Sequence, residues 1–382
     1  MEILQRRRLS DRQAALSAIL LVISITILSA CAAYRPAPAV KGEMQQKLPF
    51  TGMKVFFGTD RQDTEKTEPY LRFANERGSG IVYGTCVVTI PSSHTKGELE
   101  GPPSFLPSVL YRAMENPSRH VVLNKVTILT RTDFLKAVRE APGRKALVFI
   151  HGYNSTFEDA ARRTAQIASD AEFDGMPMFY SWPSKASFKD YPDDEDTIEL
   201  SHIYLRAFLR DLAMESNFDA IYLIAHSMGN RALTRAFIDL KSEIPPAKLA
   251  VFKEIVLTAP DIGAEVFRKA IAPALAGTPG RITLYASSND KALQISKDFH
   301  GYIRLGDTDE GLVIVSGMES IDASQVHTEL YWNLGHTYVG DSPEILRDLN
   351  SLLVKGLRAS QRFGLESVPT QSGPYWKFKL SK

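Results

Sequence analysis

Residues 146–150 (Ala-Leu-Val-Phe-Ile) and 220–225 (Ala-Ile-Tyr-Leu-Ile-Ala) carry no charged or strongly polar side chain at any position. A strand with one face in water alternates apolar and polar residues. One that does not alternate must be covered on both faces, as in a parallel sheet sandwiched between helices. The segments around these runs fit that demand. Residues 157–171, 197–214, 231–240, 267–272 and 342–353 read as helices, and 178–180, 254–258, 282–286 and 312–315 as further strands. The alternation predicts an α/β domain over residues 145–355, with a mostly parallel central sheet flanked by helices. Upstream, short apolar runs at 54–57, 81–83, 86–90 and 121–129 stand next to turn formers such as Gly58, Gly84 and Pro91. They predict a β-rich extension of the same domain over 53–144. Residues 356–382 read as a weakly structured tail.

Composition excludes several classes of function. The chain has 45 basic and 44 acidic residues, so it lacks the positive surplus needed to release counterions from nucleic acid. Its two cysteines, Cys31 and Cys86, cannot build a disulfide framework or a Cys-rich zinc site. No H-E-x-x-H pattern, paired cysteines or Asp-rich loop suggests a metal, and no Gly-rich strand-to-helix turn suggests a nucleotide. No cofactor is implied.

The first 30 residues read as an export signal. Arg6, Arg7, Arg8 and Arg12 precede an uncharged, mostly apolar stretch over 14–33. That stretch contains Leu28-Ser29-Ala30-Cys31, which resembles the lipobox of bacterial lipoproteins, where cleavage before the cysteine exposes its sulfur to lipidation. The reading is a signal peptide over 1–30, lipidation at Cys31 and a linker over 31–52 that contains Pro36 and Pro38. An uncleaved signal anchor is the alternative, because 20 apolar residues suffice to cross a bilayer. Either places the folded part at a membrane of the bacterial cell envelope. Ala32 after the cysteine resembles lipoproteins sent to the outer membrane of diderm cells. Cys86 is then an ordinary buried thiol.

The chemistry-bearing segment is Ala225-His226-Ser227-Met228-Gly229, placed between the strand at 220–225 and a helix. It is the nucleophile elbow G-x-S-x-G with Ala at its first position. Small residues let a sharp strand-to-helix turn lift the serine hydroxyl above the sheet. Ser227 is the nucleophile. Strand 146–150 runs into His151-Gly152-Tyr153-Asn154, where the backbone N–H of Tyr153, with Gly152 as the alternative, forms an oxyanion hole together with that of Met228; the His151 side chain braces the loop. Strand 282–286 leads to Asp290, the acid that orients the base, and His336 before the final helix is that base. Asp261, after strand 254–258, is the alternative acid, with a helix N-cap as its structural role. His327 is the rival base. His226 reads as structural, and His300 and Arg304 as fixing the loop of Asp290. Tyr180, Trp182, Tyr191 and the acidic run 193–196 are placed on a loop that either lines a pocket or is merely solvated.

These pieces, in the order Ser227, Asp290, His336, resemble the α/β-hydrolase superfamily. In detail the chain is similar to a bacterial esterase/lipase-like family of unknown function. The resemblance rests on Val55-Phe56-Phe57-Gly58-Thr59-Asp60-Arg61, Phe149 to Asn154, Tyr180-Ser181-Trp182-Pro183-Ser184 and Ala225 to Asn230. It implies an α/β-hydrolase fold and a Ser-Asp-His triad but brings no substrate with it. Together with the N-terminal signal, the reading is a membrane-tethered serine hydrolase acting on a small-molecule or lipid ester through an acyl-enzyme. An amidase, peptidase or acyltransferase uses the same triad, and a non-catalytic envelope scaffold can keep the same fold.

Overall fold

The runs without alternation do lie side by side. In the computed structural model, which describes residues 48–326 and 338–379, one sheet holds β1 (Phe50–Asp63), β2 (Phe73–Pro91), β3 (Val122–Leu129), β4 (Lys145–Ile150), β5 (Met176–Ser181), β6 (Ala220–His226), β7 (Phe252–Thr258), β8 (Arg281–Ala286), β9 (Met318–Asp322), β10 (Leu365–Val368) and β11 (Tyr375–Phe378). Their spatial order is β10-β11-β9-β8-β7-β6-β4-β5-β1-β2-β3. From β1 across to β11 every pair of neighbours is parallel, while β2, β3 and β10 attach antiparallel at the margins. The fold is the α/β-hydrolase fold expected, and the upstream strands continue the same sheet.

Successive residues of β4 explain its composition. Ala146, Val148 and Ile150 enter the core on one face of the sheet, and Leu147 and Phe149 enter the core on the other. The first core is closed by helices Arg131–Glu140, Tyr191–Glu215 and Gly229–Glu243, through Phe134, Phe208, Leu212, Leu233 and Phe237. The second is closed by helices Phe157–Asp170 and Pro343–Leu349, through Phe157, Ala161, Ile345 and Leu349. A reciprocal cap starts helix Phe157–Asp170: Thr156 Oγ1 accepts from Asp159 N at 3.1 Å, and Asp159 Oδ2 accepts from Thr156 N at 2.9 Å. Cys86 is buried, and burial pushes its thiol far up, so it is chemically quiet.

Three expectations are corrected here. Residues 312–315 form no strand; the place beside β8 belongs to Met318–Asp322. The apolar run instead packs from outside the sheet, with Val313 buried and its carbonyl accepting from Ser320 Oγ at 2.8 Å. The tail is not weakly structured, since β10 and β11 extend the sheet. Arg362, fully buried, pins that segment to Glu319 and Asp348 at 2.7 Å each. Asp193 to Asp196 are not on a loop but in the first turns of helix Tyr191–Glu215, where carboxylates meet the positive end of the helix dipole.

The segment between β2 and β3 is strapped along helix Phe157–Asp170 by His94, which stands 2.8 Å from both Glu100 and Asp170. Burial alone would lower the His94 pKa, but hydrogen bonds and charge from Asp170 and Glu100 outweigh it and raise it from 6.5 to about 9. A raised folded-state pKa stabilises below the unfolded value, and that stabilisation is lost as pH rises through the folded value. The urea midpoint should therefore fall between about pH 6 and about pH 10 by more in the wild type than in His94→Gln. Equal falls in the two proteins would show that His94 carries no such coupling.

Candidate active site

Five strands that are consecutive in the sheet, β7, β6, β4, β5 and β1, each run out at the carboxyl edge into a non-glycine residue with positive φ: Ala259, Ser227, Asn154, Ala186 and Glu65. Left-handed backbone costs an L-residue roughly 1–2 kcal/mol, and such residues persist where the surroundings over-determine them, often at functional sites. Ser227, with φ of 52°, sits between the end of β6 and the helix Gly229–Glu243. Its N–H donates to Thr258 O at 3.0 Å, and its carbonyl accepts from Asn230 N at 3.1 Å and Asp261 N at 3.3 Å. The fully buried Asn230 adds a clamp, its Nδ2 donating to Ser227 O at 2.9 Å and to Thr258 O at 3.1 Å.

The small residues of the elbow have a specific use. A Cβ on Gly229 would collide with the His151 carbonyl, and one on Gly152 would stand 2.8 Å from Ser227 Cβ and 2.8 Å from His226 Nδ1. The turn after β4 thus lies against the elbow by backbone contact. The structure brings together Ser227, Met228 and the Gly152-Tyr153 turn, the parts assigned to the nucleophile and the oxyanion hole.

A buried brace holds that turn. His151 Nδ1 lies 2.7 Å from Gly152 O, so that nitrogen carries the proton, leaving Nε2 to accept at 3.1 Å from Ser181 Oγ. Its ring stacks on Trp182 with centroids 5.2 Å apart, and Trp182 Nε1 donates to His151 O at 2.8 Å. Burial, with Arg61 nearby, pushes the His151 pKa down to about 3; the imidazole is neutral at ordinary pH, as a brace rather than a base. Arg61 is fully buried and donates to Ser155 O at 2.6 Å, Ser181 Oγ at 2.8 Å, Asn75 Oδ1 at 2.9 Å and Ser184 O at 3.2 Å. Burial lowers its pKa to about 10, which leaves it charged at neutral pH. The sequence showed Arg61 only as part of a matching motif and Trp182 as part of another, on a loop that lines a pocket or is solvated. Nothing in their spacing revealed that they meet, buried, around His151.

Asp290 follows β8 and is fully buried, its Oδ1 accepting from Leu293 N at 3.0 Å to cap helix Lys291–His300. His336 and His327 lie outside the described residues. Asp261 differs from expectation. It caps no helix, because the next one begins after Gly263 without a side-chain cap. Its carboxylate instead accepts from Tyr191 OH, from Ser296 Oγ at 2.8 Å and from Arg231 at 3.3 Å, and forms an ion pair at 3.1 Å with Arg304, whose Nε donates to Ser296 Oγ at 3.0 Å. Burial would raise its pKa, but Arg231, Arg304 and these hydrogen bonds hold it below the usual value. His300 and Arg304 consequently serve this cluster rather than the loop of Asp290, His300 Nε2 lying 2.8 Å from Glu195, which also pairs with Arg231 at 2.6 Å.

A family model described as "Alpha/beta hydrolase of unknown function (DUF900)" matches residues 128–355, more than half of the chain. No curated protein matches it. Solved structures similar to the chain include a predicted CIB-like hydrolase from Thermoplasma acidophilum (14% identity, 62% of this chain and 93% of that one covered, TM-score 0.36). An esterase from Pyrobaculum calidifontis is 11% identical, with 58% and 80% covered and a TM-score of 0.33. A Rhizomucor miehei esterase is 12% identical, with 86% and 94% covered and a TM-score of 0.35.

Replacing Asp261 by Asn should act on stability, because it leaves Arg231 and Arg304 without their shared counter-charge. We expect a loss of about 3 kcal/mol in chemical denaturation. The Asp261 contribution in the wild type is present above the unfolded carboxyl pKa and is lost as pH falls through the depressed folded value, so the variant should unfold in acid with a shallower pH dependence. An unchanged acid transition would show that the cluster is not held by this charge.

Proposed function

The chain belongs to this family of alpha/beta hydrolases of unknown function, and from that premise we propose that it is a serine hydrolase of carboxylic esters, tethered to a membrane of the bacterial cell envelope. The observation that carries the reading is Ser227 held in left-handed backbone at the strand-to-helix turn, with Gly152 packed against its Cβ. An inert serine would not require that strain to be maintained from four directions. Ser227 Oγ attacks the ester carbonyl while His336 removes its proton. The backbone N–H groups of Met228 and Tyr153 stabilise the oxyanion. His336, oriented by Asp290, then protonates the departing alcohol, and water releases the acyl group by the reverse sequence. All of this is built from the chain's own side chains and amides.

Asp290 is preferred over Asp261 as the acid because the Asp261 carboxylate already carries two guanidinium groups and two hydroxyl donors. A fluorophosphonate probe should label the wild type and not Ser227→Ala; a wild type that stays unlabelled would favour an inert scaffold. Against an ester substrate, Ser227→Ala and His336→Ala should each lower kcat by on the order of 10⁶-fold. Asp290→Asn should lower it by on the order of 10⁴-fold. Folded Asp261→Asn should stay within about tenfold of wild type; the opposite ranking of the two aspartates would move the acid one strand earlier. A panel of esters, thioesters and amides separates esterase from amidase, peptidase or acyltransferase action.

Tethering rests on Cys31 at the end of the apolar segment 14–33. Cells fed labelled fatty acid should incorporate it into the wild type and not into Cys31→Ala. Absence of label from the wild type, with membrane binding retained, would replace the lipid anchor by an uncleaved signal anchor.

A further inference from the structure

The helix Ser108–Met114 turns Tyr111 and Arg112 inward and leaves Val109, Leu110 and Met114 exposed, with Phe105 just before it at 76% exposure and Val109 at 78%. At 3.6 residues per turn these three helical positions fall on one arc and the two inward ones on the other. The inward side is firmly fixed. Tyr111 OH accepts from Arg162 at 3.0 Å, and Arg112 donates to Glu158 at 2.7 Å while lying 4.1 Å from the centroid of the Tyr70 ring. The apolar arc is thus presented by a rigidly seated element, and contiguous exposed apolar surface of this kind marks an interaction site.

Its position in the fold is informative. Because β1 runs parallel to β5, the connection from β1 to β2, which carries Tyr70, lies at the carboxyl edge of the sheet. Glu158 is in the first turn of the helix that follows the turn at 151–154. The patch therefore stands on the same edge as Ser227. A second apolar group stands on that edge as well. Phe299 is 65% exposed and Ile295 59% exposed, and an aromatic chain leads inward, Phe299 to Tyr191 at 5.9 Å and Tyr191 to Tyr153 at 5.3 Å.

We propose that this carboxyl edge, through Phe105, Val109, Leu110 and Met114 and with Ile295 and Phe299 across the site, docks on the lipid bilayer that holds the N-terminus. The inference rests on the tethered reading above. Residues 32–47 can reach on the order of 50 Å when extended, whereas a domain of this size has a radius of gyration of about 20 Å. Such a tether brings the bilayer within reach of either end of the domain without choosing between them. The exposed apolar side chains make the choice, and they turn the acyl-transfer edge toward lipid. The substrates so favoured are esters with a long acyl chain drawn from the membrane, rather than freely dissolved short esters.

The test uses the full chain on phosphatidylethanolamine–phosphatidylglycerol vesicles whose acyl chains carry a nitroxide quencher. A genetically encoded environment-sensitive fluorescent amino acid replaces Val109 in one preparation. In another it replaces Lys253, an exposed residue at the opposite, amino edge of β7. The lipid quencher should reduce emission from position 109 by at least roughly twofold and leave position 253 unchanged. Leu110→Asp combined with Met114→Asp should abolish the quenching at 109 while the protein still sediments with the vesicles. Protein that sediments but is unquenched at 109 overturns the docking and leaves the tether standing. A blue shift at 109 without quenching also overturns it, because the patch is then covered by protein, either the chain's own segment or a second copy. Failure to sediment at all overturns the tethered reading, and the docking with it.

Discussion

The left-handed backbone of Ser227 is the constraint around which the carboxyl edge is organised. An L-residue leaves that conformation unless neighbouring groups remove the alternatives, and here the neighbours come from two strand ends and a helix. Thr258 at the end of β7 receives the Ser227 N–H, Asn230 in the following helix binds both carbonyls, and the turn after β4 closes in from the other side. These contacts exist only because β4, β6 and β7 are parallel neighbours in register, ending level with one another. The two-faced core therefore does more than stabilise the fold: it sets the heights of the strand ends, and the strand ends hold the strained residue.

Buried charge is used next to this strain, on both sides. Arg61 reaches from β1 to fix the turn at 151–155, and Asp261 gathers Arg231 and Arg304 on the far side of the elbow. Removing a guanidinium or carboxylate from water costs several kcal/mol, which their mutual attraction and full sets of hydrogen bonds only offset. Such groups are therefore poor sources of net stability. What they add is geometry: the Arg61 guanidinium, with five oxygen acceptors fixed around it, allows the adjacent loop few alternative conformations. Asn154 and Ala259, the left-handed residues next to Ser227 on β4 and β7, lie beside these two clusters in the chain.

The residues that could be read from the chain are those whose signal is local. Continuous apolar runs identify β4 and β6 because burial on both faces forbids alternation, and Ala225, Gly229 and Ser227 identify the turn because only small residues fit it. Met318–Asp322 was not legible: a strand with Glu319, Ser320 and Asp322 carries less apolar signal than the neighbouring 312–315, and its partner β8 lies elsewhere in the chain. β10 and β11 were missed for the same reason, as four-residue strands whose stability comes from an edge formed elsewhere and from Arg362. The role of Asp261 was misread because a strand followed by Pro-Asp looks like a helix entry. Its four partners come from segments as distant as Tyr191 and Arg304, and no spacing encodes that meeting.

The same long-range meeting bears on how a catalytic carboxylate is chosen. To orient an imidazole and stabilise it when protonated, a carboxylate needs unspent negative charge directed at the ring nitrogen. In the field of two guanidinium groups at 3.1 and 3.3 Å, the charge of Asp261 is already largely answered. A third cation would gain little there and would feel repulsion from Arg231 and Arg304 at similar range. Asp290 has a different setting: it follows β8, and one of its oxygens is engaged by the Leu293 N–H of a helix N-terminus. An amide donor fixes the orientation of a carboxyl group without cancelling a full unit of its charge. On electrostatic grounds, then, Asp261 is suited to clamping the turn that holds Ser227, and this favours the proposal of Asp290, one strand later, as the acid.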